Sequence, residues 1–272
     1  MTKTRRMMEE NIALVDIVAE LVDARIPLSS KNPDIDKLAA NKKRIIILNK
    51  ADLADRKKTD MWKSYFADKG FKVICTDSKT GNGIKEIYPA CRELMKEKIE
   101  RLKARGRILV PSRVMIAGIP NVGKSTLINK LVGRSLTKTG DKPGVTRSKQ
   151  WVKIKKDLEL LDTPGILWSK FDDEAVGLNL AFTGAINDDI LEKNEIAVRL
   201  TDKLVKEYPG CLEGRYKVSE EESPDEIFIN IGKNRGFLTK GGEIDALRTA
   251  SVFLDEFRGG KLGKITLEIP QK

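Results

Sequence analysis

Between residues 12 and 162, short runs of β-branched and aliphatic residues alternate with amphipathic stretches. Residues 16–23 read Asp-Ile-Val-Ala-Glu-Leu-Val-Asp, the composition of a buried strand, and 44–49, 71–76, 114–117 and 158–161 repeat that character. The intervening segments carry helical spacing. Asn32-Pro33 opens a short helix over 32–40, and Trp62 and Phe66 stand four apart in a helix over 55–69 that Gly70 stops. A long amphipathic helix is predicted over 84–104 and another over 126–132. Strand and helix in alternation, joined by short loops, predict an α/β domain: a mostly parallel sheet with helices on both faces. After Gly165 the texture changes. Residues 175–182, 196–207 and 244–257 have helical apolar spacing, and only Ile265, Leu267 and Ile269 alternate as a strand would. The pattern therefore predicts two domains, residues 1–170 and a smaller, mainly helical one over 171–272.

Composition narrows the chemistry. The 272 residues are 40% apolar and 33% charged, enough to fill a core in each of two domains. There is no histidine, which excludes Ser-His-Asp triads, Cys-His dyads and Cys/His zinc sites formed by this chain alone. Cys75, Cys91 and Cys211 are scattered and odd in number, so no disulfide framework or disulfide-linked partner is expected. The longest aliphatic run, Ile45-Ile46-Ile47-Leu48, falls far short of the ~20 residues of a membrane helix, and Met1-Thr2-Lys3-Thr4-Arg5-Arg6 leads into acids. A cytoplasmic monomer that does not contact membranes is the expectation. The net charge of +11 is unevenly spread: residues 175–272 hold 14 basic and 17 acidic residues, leaving +14 on residues 1–174. Residues 134–156 alone carry eight bases against Asp141. Such a concentration points to a polyanionic partner, with nucleic acid the first choice.

Gly118-Ile119-Pro120-Asn121-Val122-Gly123-Lys124-Ser125 fits GxxxxGK[ST] and lies directly between a predicted strand and the helix that begins near Thr126. The glycines let backbone N–H groups converge on phosphate oxygens, Lys124 reaches the outer phosphates, and the Ser125 hydroxyl can ligate Mg²⁺. Asp162-Thr163-Pro164-Gly165 ends the strand 158–161, where Asp162 would hold Mg²⁺ through water and the Gly165 N–H would sense the γ-phosphate. Between the two lies Pro143-Gly144-Val145-Thr146, placed for a switch whose Thr146 completes the metal shell. Asn49-Lys50-Ala51-Asp52 ends another strand. The Asp52 carboxylate can accept from both N1–H and the exocyclic amine of guanine, Lys50 would cover the base plane, and Asn49 would tie this loop to the phosphate loop. Asp77-Ser78-Lys79 resembles the loop whose N–H groups meet the guanine oxygen. The nucleotide contacts expected are thus Asn49, Lys50, Asp52, Asp77, Ser78, Asn121, Val122, Gly123, Lys124, Ser125, Thr126 and Gly165, with Lys124, Thr146 and Gly165 serving catalysis.

The order of these motifs is permuted. A Ras-like GTPase meets its phosphate loop first; here the base-reading loops at 49 and 77 precede the loop at 118. Joining domain termini and reopening the chain elsewhere preserves such a site, because termini commonly lie close together. Val22-Asp23-Ala24-Arg25-Ile26-Pro27, the Asn-Lys-Ala-Asp run, the phosphate loop with Thr126-Leu127-Ile128-Asn129-Lys130-Leu131, Pro143-Gly144-Val145-Thr146 and Leu161-Asp162-Thr163-Pro164-Gly165-Ile166-Leu167-Trp168 together resemble the circularly permuted GTPases of the YlqF family. That resemblance covers nearly the whole chain. It implies a GTPase acting in late assembly of the large ribosomal subunit, using GTP or GDP and Mg²⁺, with a helical C-terminal domain that helps contact rRNA. The family usually has an upstream Pro-Gly-His-Met whose histidine is assigned a catalytic part; this sequence begins at the Met.

Ile166 occupies the position where Ras-like enzymes place the glutamine that orients water, and it can neither donate nor accept. Asn121 resembles the asparagine that holds K⁺ in potassium-activated GTPases, and otherwise braces the loop; Arg147 is a candidate electrostatic contributor. Slow intrinsic turnover, raised by a ribosomal partner, is expected. Two alternatives stand at this point: an RNA scaffold that binds GTP with negligible hydrolysis, and a GTPase coupled to tRNA modification. For RNA, the charge division assigns electrostatic grip to 134–156 and 101–113 and positioning to the C-terminal helices, with Lys233, Arg235 and Lys240 beside Phe237 as the tail's contact.

Overall fold

The computed structural model describes residues 3–108, 110–133, 150–163, 167, 173–186 and 193–271. The chain divides into two units, one of Met1–Asp52, Arg56–Lys170 and Glu268–Lys272, the other of Leu53–Asp55 and Phe171–Leu267.

The first unit is built on a six-stranded sheet. Its strands are β1 (Ile17–Asp23), β2 (Lys43–Asn49), β3 (Lys72–Thr76), β4 (Ser112–Gly118), β5 (Gln150–Lys155) and β6 (Leu158–Asp162), in spatial order β3-β2-β1-β4-β6-β5. All neighbours pair in parallel except β5 with β6. β1 is buried at all seven positions, as expected for a central strand covered on both faces. The connecting helices are α2 (Pro33–Leu38), α3 (Arg56–Asp68), α4 (Ile87–Leu94), α5 (Lys96–Ala104) and α6 (Lys124–Val132). From β1 the chain steps outward through α2 and α3, then returns through α4 and α5 to β4 on the opposite side, so right-handed crossovers put these two groups of helices on opposite faces. The expected parallel α/β layering is therefore present.

Four local differences from the sequence reading have physical causes. An N-terminal helix, α1 (Lys3–Ala13), was not anticipated; Met8 and Ile12 on one side of it join Ile35, Met115 and Leu161 in a core cluster. The long helix expected over 84–104 begins as a 3₁₀ turn at Ile84–Glu86 and is broken at Met95, whose φ of −97° and ψ of 0° leave the α region. α4 buries Ile87, Ala90 and Cys91, whereas α5 buries none of its residues and continues beyond the apolar support. β5 was hidden in a segment read for its charge. Val152 is buried while Lys153 and Lys155 face solvent, a period-two pattern that its lysines and Gln150 disguise. Finally, no strand forms at 265–269. Ile265 N–H donates to Leu53 O (3.0 Å), Asp55 N–H to the Thr266 hydroxyl (3.0 Å), and Thr266 exchanges bonds with the Tyr208 hydroxyl, so this stretch is held by a three-residue segment and a side chain rather than by a ladder.

The second unit is helical: α7 (Glu174–Phe182), α8 (Lys193–Glu207), α9 (Cys211–Tyr216), α10 (Pro224–Asn234) and α11 (Ala246–Arg258). α9 and α10 were unforeseen, although Ser223-Pro224-Asp225-Glu226 is a capping box in which each side chain satisfies the other's backbone N–H. Gly232 of α10 admits α11: a Cβ there would stand 2.7 Å from the Thr249 hydroxyl. Glu256 of α11 is buried and gathers Arg215 (2.7 Å), Arg235 (2.9 Å) and the Tyr216 hydroxyl (2.9 Å). The Arg215 fork, outweighing burial, holds the Glu256 carboxyl at about 2, below its ordinary 4.5. A depressed carboxylate stabilises the fold fully above its unfolded pKa and loses that contribution as pH falls. Glu256→Gln is thus expected to cost about 2 kcal/mol at neutral pH, between the cost of an exposed pair and that of a fully buried one, because both arginines are partly solvated. It should also flatten the loss of stability between pH 4.5 and 2; urea titrations of both proteins across that range provide the check.

Candidate nucleotide-binding site

Parallel strands bring their C-terminal ends to one edge of the sheet, and the sequence motifs converge there. β4 ends at Gly118 and runs through the glycine-rich loop into α6 at Lys124. Asn121 (φ 57°) and Gly123 (φ 103°) take left-handed conformations that curl this loop. A side chain at Gly123 would be strained by that φ and would place its Cβ 2.5 Å from Asn49 Nδ2. Lys124 is buried and donates to the carbonyls of Gly118 (3.0 Å) and Ile119 (2.9 Å), folding its ammonium back over the loop.

Asn49 ends β2 and joins three loops. Its Nδ2 donates to Val122 O in the glycine-rich loop at 2.7 Å. Its Oδ1 accepts from the Thr76 hydroxyl (3.0 Å), the Ser78 N–H (3.1 Å) and the Ser78 hydroxyl (2.7 Å). The side chain is buried, so these bonds face no competing water. Asp77 spends its carboxylate locally, on the N–H groups of Lys79 and Thr80 and the Thr80 hydroxyl. Burial opposes its charge, but those bonds hold its pKa below the usual carboxylate value. Asp77 therefore shapes the turn around Ser78. Asp52, by contrast, is exposed.

Lys50 has a neighbour that motif reading missed. Its ammonium lies 3.0 Å from Asp23, a buried carboxylate at the end of β1 that also receives two bonds from the Arg25 guanidinium. Burial alone would raise the Asp23 pKa; Arg25 and Lys50 outweigh it and hold the carboxyl far below its usual range. The signal was in the Asp23-Ala24-Arg25 run, which carried resemblance without an assigned chemistry. Met8 and Asn11 of α1 also line a small cavity with Gly118 and Thr163, bringing the unforeseen N-terminal helix up to the phosphate-loop root.

Asp162 ends β6 in register with Ile116 of β4. Burial pushes its carboxyl up to about 6 against the pull of Lys124, which burial in turn lowers to about 8. Both carboxylate oxygens are buried and make no hydrogen bond of normal geometry among the described residues. A desolvated acceptor of this kind, beside a glycine-rich loop and a lysine, suits the hydration shell of a bound divalent cation. The next residue, Thr163, donates its hydroxyl to Ile116 O at 3.0 Å. Val122, Ser125 and Thr126 lie in the loop and at the start of α6. Thr146, Arg147, Gly165 and Ile166 fall outside the described residues.

Comparisons with known proteins give the arrangement a context. Residues 113–222 match a family model described as 50S ribosome-binding GTPase. The chain is 51% identical to ribosome biogenesis GTPase A of Bacillus cereus, over 100% of this chain and 92% of that protein. It is 32% identical to the protein of the same name from Thermotoga maritima, over 99% and 92%. The crystal structure of GNP-bound YlqF from T. maritima superposes with a TM-score of 0.72 at 30% identity, covering 100% of both chains.

Because Asn49 makes four buried hydrogen bonds across three loops, Asn49→Ala is expected to lower stability by about 2–4 kcal/mol, near one kcal/mol for each bond removed. Chemical denaturation of the nucleotide-free protein is the measurement. Gly123→Ala should disturb the same junction, and a variant as stable as the parent would show that Asn49 does not hold it.

Proposed function

The chain belongs to the ribosome biogenesis GTPase A family, the circularly permuted YlqF GTPases, and from that premise we propose that it binds the large ribosomal subunit precursor in its GTP state and promotes late maturation. It is a GTPase; the proposal concerns its cations, its activation and its partner. The observation that carries the nucleotide reading is the Asn49 junction, which links the Asn-Lys-Ala-Asp loop, the Ser78 loop and the glycine-rich loop through one side chain. A base held by the first two is thereby registered against phosphates held by the third.

In this reading Asp52 reads the guanine edge, Lys50 lies along the base plane, and Asp77 sets the turn that presents the Ser78 N–H. The glycine-rich loop from Asn121 through Val122 and Gly123 to Lys124, Ser125 and Thr126 cradles the phosphates with its N–H groups. Filling the site would draw the Lys124 ammonium from the Gly118 and Ile119 carbonyls to the outer phosphates. Ser125, Thr146 and, through water, Asp162 hold Mg²⁺, which when bound neutralises charge on the phosphate oxygens. Gly165 senses the γ-phosphate, and Asn121 holds K⁺ beside the phosphates. Turnover is slow until the ribosomal partner orders the switch residues. The helical residues 171–272 add an rRNA contact. Of Lys233, Arg235 and Lys240, Arg235 is committed to Glu256, which leaves Lys233 and Lys240, both exposed, joined by Arg248, which stacks 4.7 Å from the Phe237 ring.

Base selectivity gives the direct test. Asp52→Asn should weaken guanine nucleotides by about 2–4 kcal/mol, the scale of a lost charge-assisted pair, and improve binding of xanthine nucleotides. Unchanged GTP affinity would remove Asp52 from the base site. For the cation, replacing KCl by NaCl at fixed ionic strength should slow hydrolysis, and Asn121→Ala should erase the difference. For the partner, sedimentation with large subunits should recover more protein with a GTP analogue than with GDP; equal recovery would refute the state-dependent part of the reading.

A further inference from the structure

The opposite edge of the same sheet carries a second concentration of charge. Lys43 begins β2, Lys72 begins β3 and Ser112 begins β4, so this is the edge of strand N-termini, remote from the glycine-rich loop. A groove of about 410 Å³ opens there, lined by Lys42, Lys43, Arg44, Lys69, Phe71 and Leu94 among others. Arg44 is occupied by Glu20 and Asp36. Lys42 donates to Val15 O at 2.7 Å, which leaves its ammonium two further donors. Lys43 and Lys69 are exposed, Lys69 resting on the Tyr65 ring at 4.3 Å; neither forms an ion pair among the described residues.

α5 reaches the same edge. Leu94 ends α4 on the groove wall, and Lys98 of α5 pairs with Asp16, the residue before β1, which fixes α5 there. α5 has no buried residue. From 101 to 108 the sequence Arg-Leu-Lys-Ala-Arg-Gly-Arg-Ile has four bases and no acid. Arg101, Lys103, Arg105 and Arg107 are exposed and form no ion pair among the described residues. This nine-residue helix buries nothing, and past its two acids, Glu97 and Glu100, the chain runs into four exposed bases, a local excess of positive charge that attracts a polyanion.

We propose that this edge, comprising Lys43 and Lys69 at the groove, Arg101 and Lys103 in the last turn of α5, and Arg105 and Arg107 just after it, is an RNA-backbone contact that operates in both nucleotide states. It rests on the ribosomal reading above and adds to it a contact that the nucleotide does not gate. RNA is the occupant because the face offers a run of guanidinium forks and ammonium groups, the donors that phosphate oxygens take, with no large apolar floor. Independence from the nucleotide follows from distance. β2 runs six steps from Lys43 to Asn49, roughly 20 Å at about 3.3 Å per residue, more than two Debye lengths of about 8 Å at physiological salt. Phosphates at the far edge therefore change the potential here very little.

The test is binding of the full-length protein to purified bacterial large ribosomal subunits across a salt series, with a GTP analogue and with GDP. The variant combines Lys43→Gln, Lys69→Gln, Arg101→Gln, Lys103→Gln, Arg105→Gln and Arg107→Gln; two further variants carry the groove pair and the α5 quartet alone. Removing one phosphate-binding cation lowers the log–log salt slope by about 0.7–0.9. The slope of the combined variant should fall by about two or more, equally in both states. Subunit-free GTP hydrolysis and melting temperature should match the parent, since all six side chains are exposed and none touches the nucleotide edge. An unchanged slope in a parent-like, folded variant overturns the proposal, as does a loss confined to one nucleotide state. A parent that fails to bind subunits at all refutes the ribosomal reading itself, and preferential binding to phosphatidylglycerol vesicles, abolished in the variant, assigns the face to a membrane instead.

Discussion

Asn49 is a carboxamide with two donor hydrogens and one acceptor oxygen, buried where the ends of three chain segments meet. This one side chain bonds the glycine-rich loop, the end of β3 and the Ser78 turn together. Replacing it by a carboxylate would remove the donor to Val122 O, and an alkyl side chain would leave that carbonyl, the Ser78 N–H and two hydroxyls without their partner. The position of Gly123 follows from the same constraint: the backbone passes so near the Asn49 amide that no Cβ fits. Base-reading and phosphate-holding loops can therefore be far apart in sequence, in either order, provided that this junction closes. A permuted chain keeps the site because the hydrogen bonds act through space.

The charges around the base-reading loop obey a related logic. Asp23 is too deeply buried to remain ionised alone, and Arg25 from its own loop supplies the compensating charge. Lys50 then adds a second basic group to a carboxylate already paired; burial lowers the Lys50 pKa, and the Asp23 carboxylate opposes that fall. Lys124 and Asp162 reach the opposite compromise. Burial works against the charge of each, lowering the Lys124 pKa and raising that of Asp162, and each partly offsets this for the other. In the nucleotide reading proposed above, a phosphate with its hydrated cation would relieve both members, giving the lysine an anion and the aspartate a cation's water. This is how a nucleotide can stabilise the loop that binds it beyond the contacts it makes.

Much of this site was legible in the sequence because its chemistry is carried by short, contiguous runs. A glycine-rich loop must be contiguous to curl, and Asn49, Lys50 and Asp52 share one strand end, so local spacing predicts proximity. The alternation of strands and helices was legible for a similar reason: buried parallel strands such as Ile45-Ile46-Ile47-Leu48 announce themselves by unbroken apolarity. What escaped depends on contacts distant in sequence. The Asp23–Lys50 pair joins residues on different strands, and only β1–β2 pairing brings Asp23 opposite Asn49. The break at Met95 reflects where the apolar support under the helix ends, which periodicity within 84–104 does not reveal. β5 was masked because its outward positions are lysines, and α9 is a six-residue helix too short to show a period. The alternation of Ile265, Leu267 and Ile269 misled for the converse reason: a period-two pattern predicts a strand only if another strand is available to pair with it.

Charge was the sequence feature most in need of structure. Ion pairing does not change net charge, so it leaves the excess of +14 on residues 1–174 in place while deciding which cations express it. Arg25, Lys31, Arg44, Lys50, Lys72, Arg92, Lys98 and Arg113 all face carboxylates. Their presence in a basic stretch says little about a partner. Arg113, counted with 101–113 as one basic run, pairs with Glu159 and stacks on Trp151, which ends that run as an outward-facing feature at about residue 107. The same sorting removes Arg235 from the C-terminal set. Only unpaired, exposed cations can release counterions from a nucleic acid when they meet its phosphates. Among the described residues, the field a partner meets is therefore drawn from the positions where the fold has run out of acids, and a linear count of lysines and arginines cannot identify them.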